Sequence, residues 1–151
     1  MRTIAVVFVF LAGCVPDSCG TSGGSGGYIP EPQSCAPVAD PTLTALAFAH
    51  PGGAAWAVGD RLDLEGGGQG LKMAHFTLAL TGAVPSCIMP EVVVAHDTQM
   101  EPRAPTAVEG GATIEYFMGP YDLASTSQFS ATVDGHTITA TVGNGVIEQI
   151  D

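Results

Sequence analysis

Positive charge is scarce in this chain: Arg2, Arg61, Lys72 and Arg103 stand against fifteen Asp and Glu, for a formal charge of −11 with histidine neutral. A surface of that sign repels phosphate backbones and anionic lipid headgroups, so no nucleic-acid partner is expected. Any hold on a membrane must then come from something other than basic residues. Charge of either sign is thin, at 13% of 151 residues, while the apolar class reaches 46%. That balance excludes a disordered chain over most of the length and provides for one core of ordinary size. Long apolar runs are missing too. Residues 4–11 (IAVVFVFL) form an unbroken apolar run of eight, whereas a spanning helix needs about 20 residues. No second stretch approaches spanning length, and none sustains helical spacing with caps.

The short run has its own logic. Met1-Arg2 supplies a minimal positive start, the apolar stretch follows, and small residues come directly after it, in the manner of a secretory leader. The stretch ends in Leu11-Ala12-Gly13-Cys14, which resembles the lipobox of bacterial lipoproteins at every position. The resemblance covers only the first 14 residues. It implies a precursor cut before Cys14, so that 1–13 is a signal peptide and the new N-terminal cysteine carries lipid. One acyl chain holds a protein reversibly, and several, at about 0.8 kcal/mol per buried methylene, hold it stably. That lipid would replace a transmembrane helix, making the membrane itself the first expected partner. Val15 stands where some lipoproteins carry a sorting Asp; by that analogy the address is the outer membrane of the cell envelope.

Residues 14–40 read as the lipidated end followed by a flexible tether, crowded with Gly, Ser and Pro and without apolar period. A Gly-rich chain of this length has a root-mean-square span of about 25–30 Å, enough to lift a domain off the headgroups. Within it Gly20-Thr21-Ser22-Gly23-Gly24 matches the nucleophile-elbow pattern G-x-S-x-G. That chemistry needs a strand before the turn and a helix after it. Linker sequence flanks it on both sides.

Over residues 41–151 the apolar positions recur with period two. The C-terminal part is the clearest. If Asp134-Gly135 is a two-residue type I′ turn, Val133 faces His136, Ala131 faces Ile138 and Phe129 faces Ala140. The same register gathers Ser130, Thr132, Thr137, Thr139 and Thr141 on the opposite face, and a slip of one residue would mix the two. Gly143-Asn144-Gly145 then turns the chain into 146–150, where the register is open. Upstream, 73–81 alternates Ala74, Phe76, Leu78 and Leu80 against His75, Thr77 and Thr81, and 91–96 is a Val-rich run suited to a buried strand. With 42–49, 61–64 and 113–118 the set comes to about seven strands. The expected fold is therefore all-β, an antiparallel two-sheet sandwich, immunoglobulin-like or related, with Trp56, Phe76, Phe117 and Phe129 in its core. Gly66-Gly67-Gly68-Gln69-Gly70 followed by a strand is similar to a feature of uncharacterised bacterial envelope lipoproteins, a likeness that implies the sandwich and no activity. Read instead as a phosphate cradle, the loop would need a helix after it, and period-two residues follow.

Besides Cys14 the chain holds Cys19, Cys35 and Cys87. Export places them in an oxidising compartment, where one must be left over. The favoured pair is Cys35 with Cys87, pinning the tether's end to the connection before the Val-rich strand; Cys19 with Cys35 is the alternative. A second reading takes His50, Cys87, His96 and Met100 as a copper site, since β-sandwich copper centres use two His, a Cys and a weak axial Met. The spacing departs from the cupredoxin pattern, with Cys87 far from His96 for one ligand loop and about fifty residues after Met100. Cys87 cannot serve as both thiolate and disulfide. No catalytic constellation and no cofactor motif emerges. The functional expectation is a lipid-anchored, non-enzymatic envelope module that binds a protein or glycan or has a structural role, with periplasmic copper binding as the alternative.

Overall fold

The computed structural model describes Cys35 and residues 43–151. The leader, Cys14, Cys19, the Gly20-to-Gly24 motif and the tether apart from Cys35 lie outside the described residues. Ten strands follow in chain order: β1 (Leu43–Ala49), β2 (Leu64–Gly66), β3 (Lys72–Gly82), β4 (Glu91–Val94), β5 (Asp97–Met100), β6 (Thr106–Val108), β7 (Gly111–Met118), β8 (Thr126–Val133), β9 (His136–Gly143) and β10 (Val146–Ile150). Two antiparallel five-stranded sheets result. The first runs β1-β3-β7-β6, with β2 on β3, and the second runs β10-β9-β8-β4-β5. The expected two-sheet sandwich is therefore the fold, and the only helical element among the described residues is the 3-10 turn Gly68–Gly70.

The β8–β9 hairpin has the register that polarity demands: Val133 opposite His136, Ala131 opposite Ile138, Phe129 opposite Ala140. Asp134 (φ 47°) and Gly135 (φ 80°) are both left-handed, as a type I′ turn requires. On the outer face, Ser130 meets Thr139, and the Thr132 and Thr137 hydroxyls lie 3.1 Å apart. The β9–β10 register shifts between Ile147 and Gln149. This bulge interrupts the period-two pattern there.

The ten strands exceed the expected set of about seven chiefly through β5 and β6, whose sequences carry little apolar signal. β6 is exposed along its whole length, and β5 (DTQM) has no buried residue. The Val-rich run is shorter than expected: it ends at Val94, and Ala95 turns the chain with φ 54° into β5. Residues 59–62 also depart from a simple strand. Gly59 donates to Ile147, Ile147 to Asp60 and Leu62 to Gly145, so this segment runs beside β10 before the chain returns to β2.

Between the sheets lies an aromatic knot. Phe48 stacks on Trp56 at 4.8 Å, and Phe129 from the second sheet lies 5.4 Å from Trp56, 5.7 Å from Phe76 and 6.2 Å from Phe48. Leu78, Leu80 and Ile114 extend the core on the first sheet, and Val92, Val133, Val142 and Ile147 on the second. Burying such side chains stabilises by about 1.5–3 kcal/mol each. Phe117 corrects the expected core. Its neighbours Tyr116 and Met118 point inward with Ile114, so the alternation of β7 turns Phe117 outward, where it is 41% exposed. Cys35 is bonded to Cys87, with their Cα atoms 5.3 Å apart, as the favoured pairing expected.

Candidate functional site

Three groupings of polar side chains stand out. The first is His50, just after β1. Its Nδ1 lies 2.6 Å from Asp63 Oδ2 and its Nε2 3.2 Å from Asp60 Oδ2, so a protonated ring donates to both carboxylates. The hydrogen bond to Asp63 raises the His50 pKa above 6.5, against partial desolvation and with further help from Asp60. Asp60 moves the other way, lowered chiefly by His50 and then by the Ala57 N–H, which donates to it at 2.8 Å. With both nitrogens occupied and the ring beside Trp56 at 6.5 Å, the group fastens a loop.

The second grouping lies on the outer face of the first sheet. The His75 ring stacks on Phe117 with centroids 4.1 Å apart, and its Nε2 is 2.7 Å from Glu115 Oε1. Glu65 approaches Nδ1 at 3.7 Å. Pairing of His75 with Phe117 and Phe76 with Tyr116 between β3 and β7 accounts for this stack.

The third is a cleft at one end of the sandwich, with a volume of about 510 Å³. One wall is the β4–β5 turn, Ala95 and His96, held where the Ala95 N–H donates to the Gln128 carbonyl at 3.0 Å. The other is the β7–β8 connection beginning at Gly119, fastened by the Tyr121 N–H donating to the Lys72 carbonyl at 2.8 Å. Gly119 has φ 145°, and a Cβ there would sit 2.7 Å from the Tyr121 nitrogen, so only glycine fits the bend. Asp122 orders the next turn, accepting the Ala124 N–H on Oδ1 at 2.9 Å, while its carbonyl accepts the Ser125 hydroxyl at 2.9 Å.

The inner lining is polar. Ser127 is the inward-facing residue of β8 before Phe129, and it is buried; Ser125 Oγ lies 3.5 Å from it. Tyr121 is 7% exposed and packs on Phe129 at 5.9 Å. Its hydroxyl is buried and finds no hydrogen-bond partner among the described residues. Burial pushes the phenol pKa up; nearby Ser127 opposes this, without the geometry of a full hydrogen bond, and Asp122 adds to it. An orphaned buried hydroxyl costs about 1–3 kcal/mol. No Lys or Arg lines the cleft among the described residues.

The candidate copper ligands are not brought together. Cys87 is spent in the disulfide, so it offers no thiolate. His50 is held by Asp60 and Asp63. His96 sits at the β4–β5 turn, whereas Met100 pairs with Glu91 at the opposite end of that hairpin, about 13 Å along an extended strand. Among the described residues no group of three or more His, Cys, Asp or Glu converges as a metal ion would need. Of these candidates only His96 reaches the cleft. Tyr121, Ser125 and Ser127 escaped the sequence reading; their one signal was a hydroxyl-rich stretch (YDLASTS) after Gly119-Pro120.

Comparison with protein-family models, with curated proteins and with solved structures finds no match to this chain.

Proposed function

We propose that this chain is a lipid-anchored protein of the cell envelope whose sandwich acts as a non-enzymatic binding module, held at the membrane by lipid on Cys14. The observation that carries the reading is the Cys35–Cys87 disulfide. Such bonds persist in oxidising compartments, which is where the Leu11-Ala12-Gly13-Cys14 signal would deliver the chain. The acidic composition supports lipid as the grip, since a charge of −11 gives anionic headgroups nothing to attract. A polar cleft built where two connections meet at the sandwich's end supports a binding role, because loops on a rigid scaffold are where recognition is placed.

The test is radiolabelled palmitate fed to cells making the full chain, alone and with the lipoprotein signal peptidase inhibited. Label on the wild type, none on Cys14→Ser, and accumulation of the uncut precursor under inhibition are expected. An unlabelled wild type, or a Cys14→Ser protein that stays with membranes, overturns the anchor.

A further inference from the structure

We infer that the cleft walled by the β4–β5 turn and the β7–β8 connection binds a neutral glycan, one or two sugar rings, with Tyr121 and Ser127 among its contacts. The inference deepens the binding-module reading and rests on it.

Size comes first. At about 510 Å³ the cleft falls within the range of small-molecule sites, roughly 300–1,000 Å³. Chemistry then narrows the occupant. The Tyr121 and Ser127 hydroxyls can each donate and accept, as can the hydroxyls of a sugar, while Ser125, whose proton goes to the Asp122 carbonyl, can accept. The buried Tyr121 hydroxyl, without a partner among the described residues, is a polar atom that a ligand hydroxyl would satisfy. Ser127 offers a second buried hydroxyl nearby, and the half-buried Ser125 a third hydroxyl beside it. Val94, Ala95 and Pro120 supply an apolar flank for the C–H face of a ring.

The competing classes fit less well. Phosphorylated or carboxylated ligands would meet no Lys or Arg in the lining, and they would enter against the charge of the chain. A metal ion lacks a converging ligand set among the described residues. A cation would find one lining carboxylate, Asp122, whose Oδ1 already accepts the Ala124 N–H. An apolar ligand would leave the Tyr121 hydroxyl without a partner.

The experiment uses the full processed lipoprotein in detergent micelles, titrated with galactose, mannose, N-acetylglucosamine and cellobiose, and in parallel with glucuronate and glucose 6-phosphate. Amide shifts map the site and calorimetry gives Kd. Expected is binding of at least one neutral probe, with shifts confined to 94–96 and 119–128 and glucuronate and glucose 6-phosphate weaker. Affinity should fall by about tenfold or more in Tyr121→Phe and in Ser127→Ala. Unliganded Tyr121→Phe should melt no lower than wild type, because its hydroxyl contributes no internal bond. Silence from every neutral probe at about 50 mM, far above a millimolar Kd, overturns the site, as do shifts centred on Phe117 or a Tyr121→Phe protein that binds normally. A Tyr121→Phe protein of much lower melting temperature would mean that the hydroxyl is already satisfied, which also overturns it. Palmitate labelling with no sugar binding sinks this inference alone. Sugar binding without labelling sinks the anchor alone.

Discussion

Phe129 shows what one side chain does for this sandwich. It belongs to β8 in the second sheet, yet its ring lies near Phe48 and Phe76 of the first, and beside Trp56 and Tyr121 from the connections. Phe129→Ala removes the shared partner of these four rings, and the loss expected from chemical denaturation is about 3–5 kcal/mol. A loss below about 1 kcal/mol would mean that the sheets close over the gap. His50 acts by charge. Its pKa is raised in the folded state, so its contribution is fully present below the usual 6.5 and fades as pH rises through the folded value. Asp60 is lowered, so its share is present above 3.8 and fades as pH falls through its folded value. Melting temperatures of wild type and His50→Gln should therefore differ most between 3.8 and 6.5 and converge at higher pH. A gap that stays constant from pH 5 to pH 9, spanning about two units either side of imidazole's usual range, would show that the ring merely packs.

Among the elements, two glycines separate conformation from crowding. Gly135 needs φ 80° but has open space where a Cβ would go, so Gly135→Ala carries only the left-handed penalty of about 1–2 kcal/mol. Gly111 has an ordinary φ, but a Cβ there would fall 2.0 Å from the Leu80 carbonyl oxygen, at the end of the β3–β7 ladder. Gly111→Ala must push β3 and β7 apart or bend them, for about 1–3 kcal/mol. Thermal or denaturant unfolding of the two variants reads both, and a silent Gly111→Ala would show that β7 starts one residue later than Gly111. The same elements mark what was legible beforehand. Asp134-Gly135 announced its hairpin because a turn with two left-handed residues has few sequence solutions, and the polarity of Phe129, Ala131 and Val133 then set the register. Ala95 hid its turn, since neither Gly nor Asn stands at the left-handed position and the valines before it read as one longer strand. The β5 and β6 strands carry no buried residue and so leave no period to read. Phe117 misled because aromatic residues usually bury, while the parity of β7 turned it outward. The cleft was invisible for a different reason: it joins the β4–β5 turn to the β7–β8 connection, and only tertiary structure makes them neighbours.

For the molecule as a whole, the Cys35–Cys87 bond is the long-range constraint. It closes a loop with a sequence separation of 52, and that loop takes in β1, β2 and β3. In the chain-entropy account, closing such a loop removes freedom from the unfolded ensemble worth about 4 kcal/mol, a large share of the roughly 5–15 kcal/mol that holds an ordinary domain folded. The bond fastens residue 35 to the β3–β4 connection, next to Ile88, whose N–H and carbonyl both pair with Arg103. Removing it therefore leaves the strand ladders intact, so the folded sheets should survive with their amide shifts nearly unchanged outside residues 35 and 84–90. Cys35→Ser/Cys87→Ser, made as a double variant so that no lone thiol remains, should unfold at lower denaturant by an amount equal to about 4 kcal/mol. A steeper denaturant slope should accompany it, because the uncrosslinked unfolded chain exposes more surface. An unchanged slope and midpoint together would show that the unfolded chain is already confined in that region without the bond.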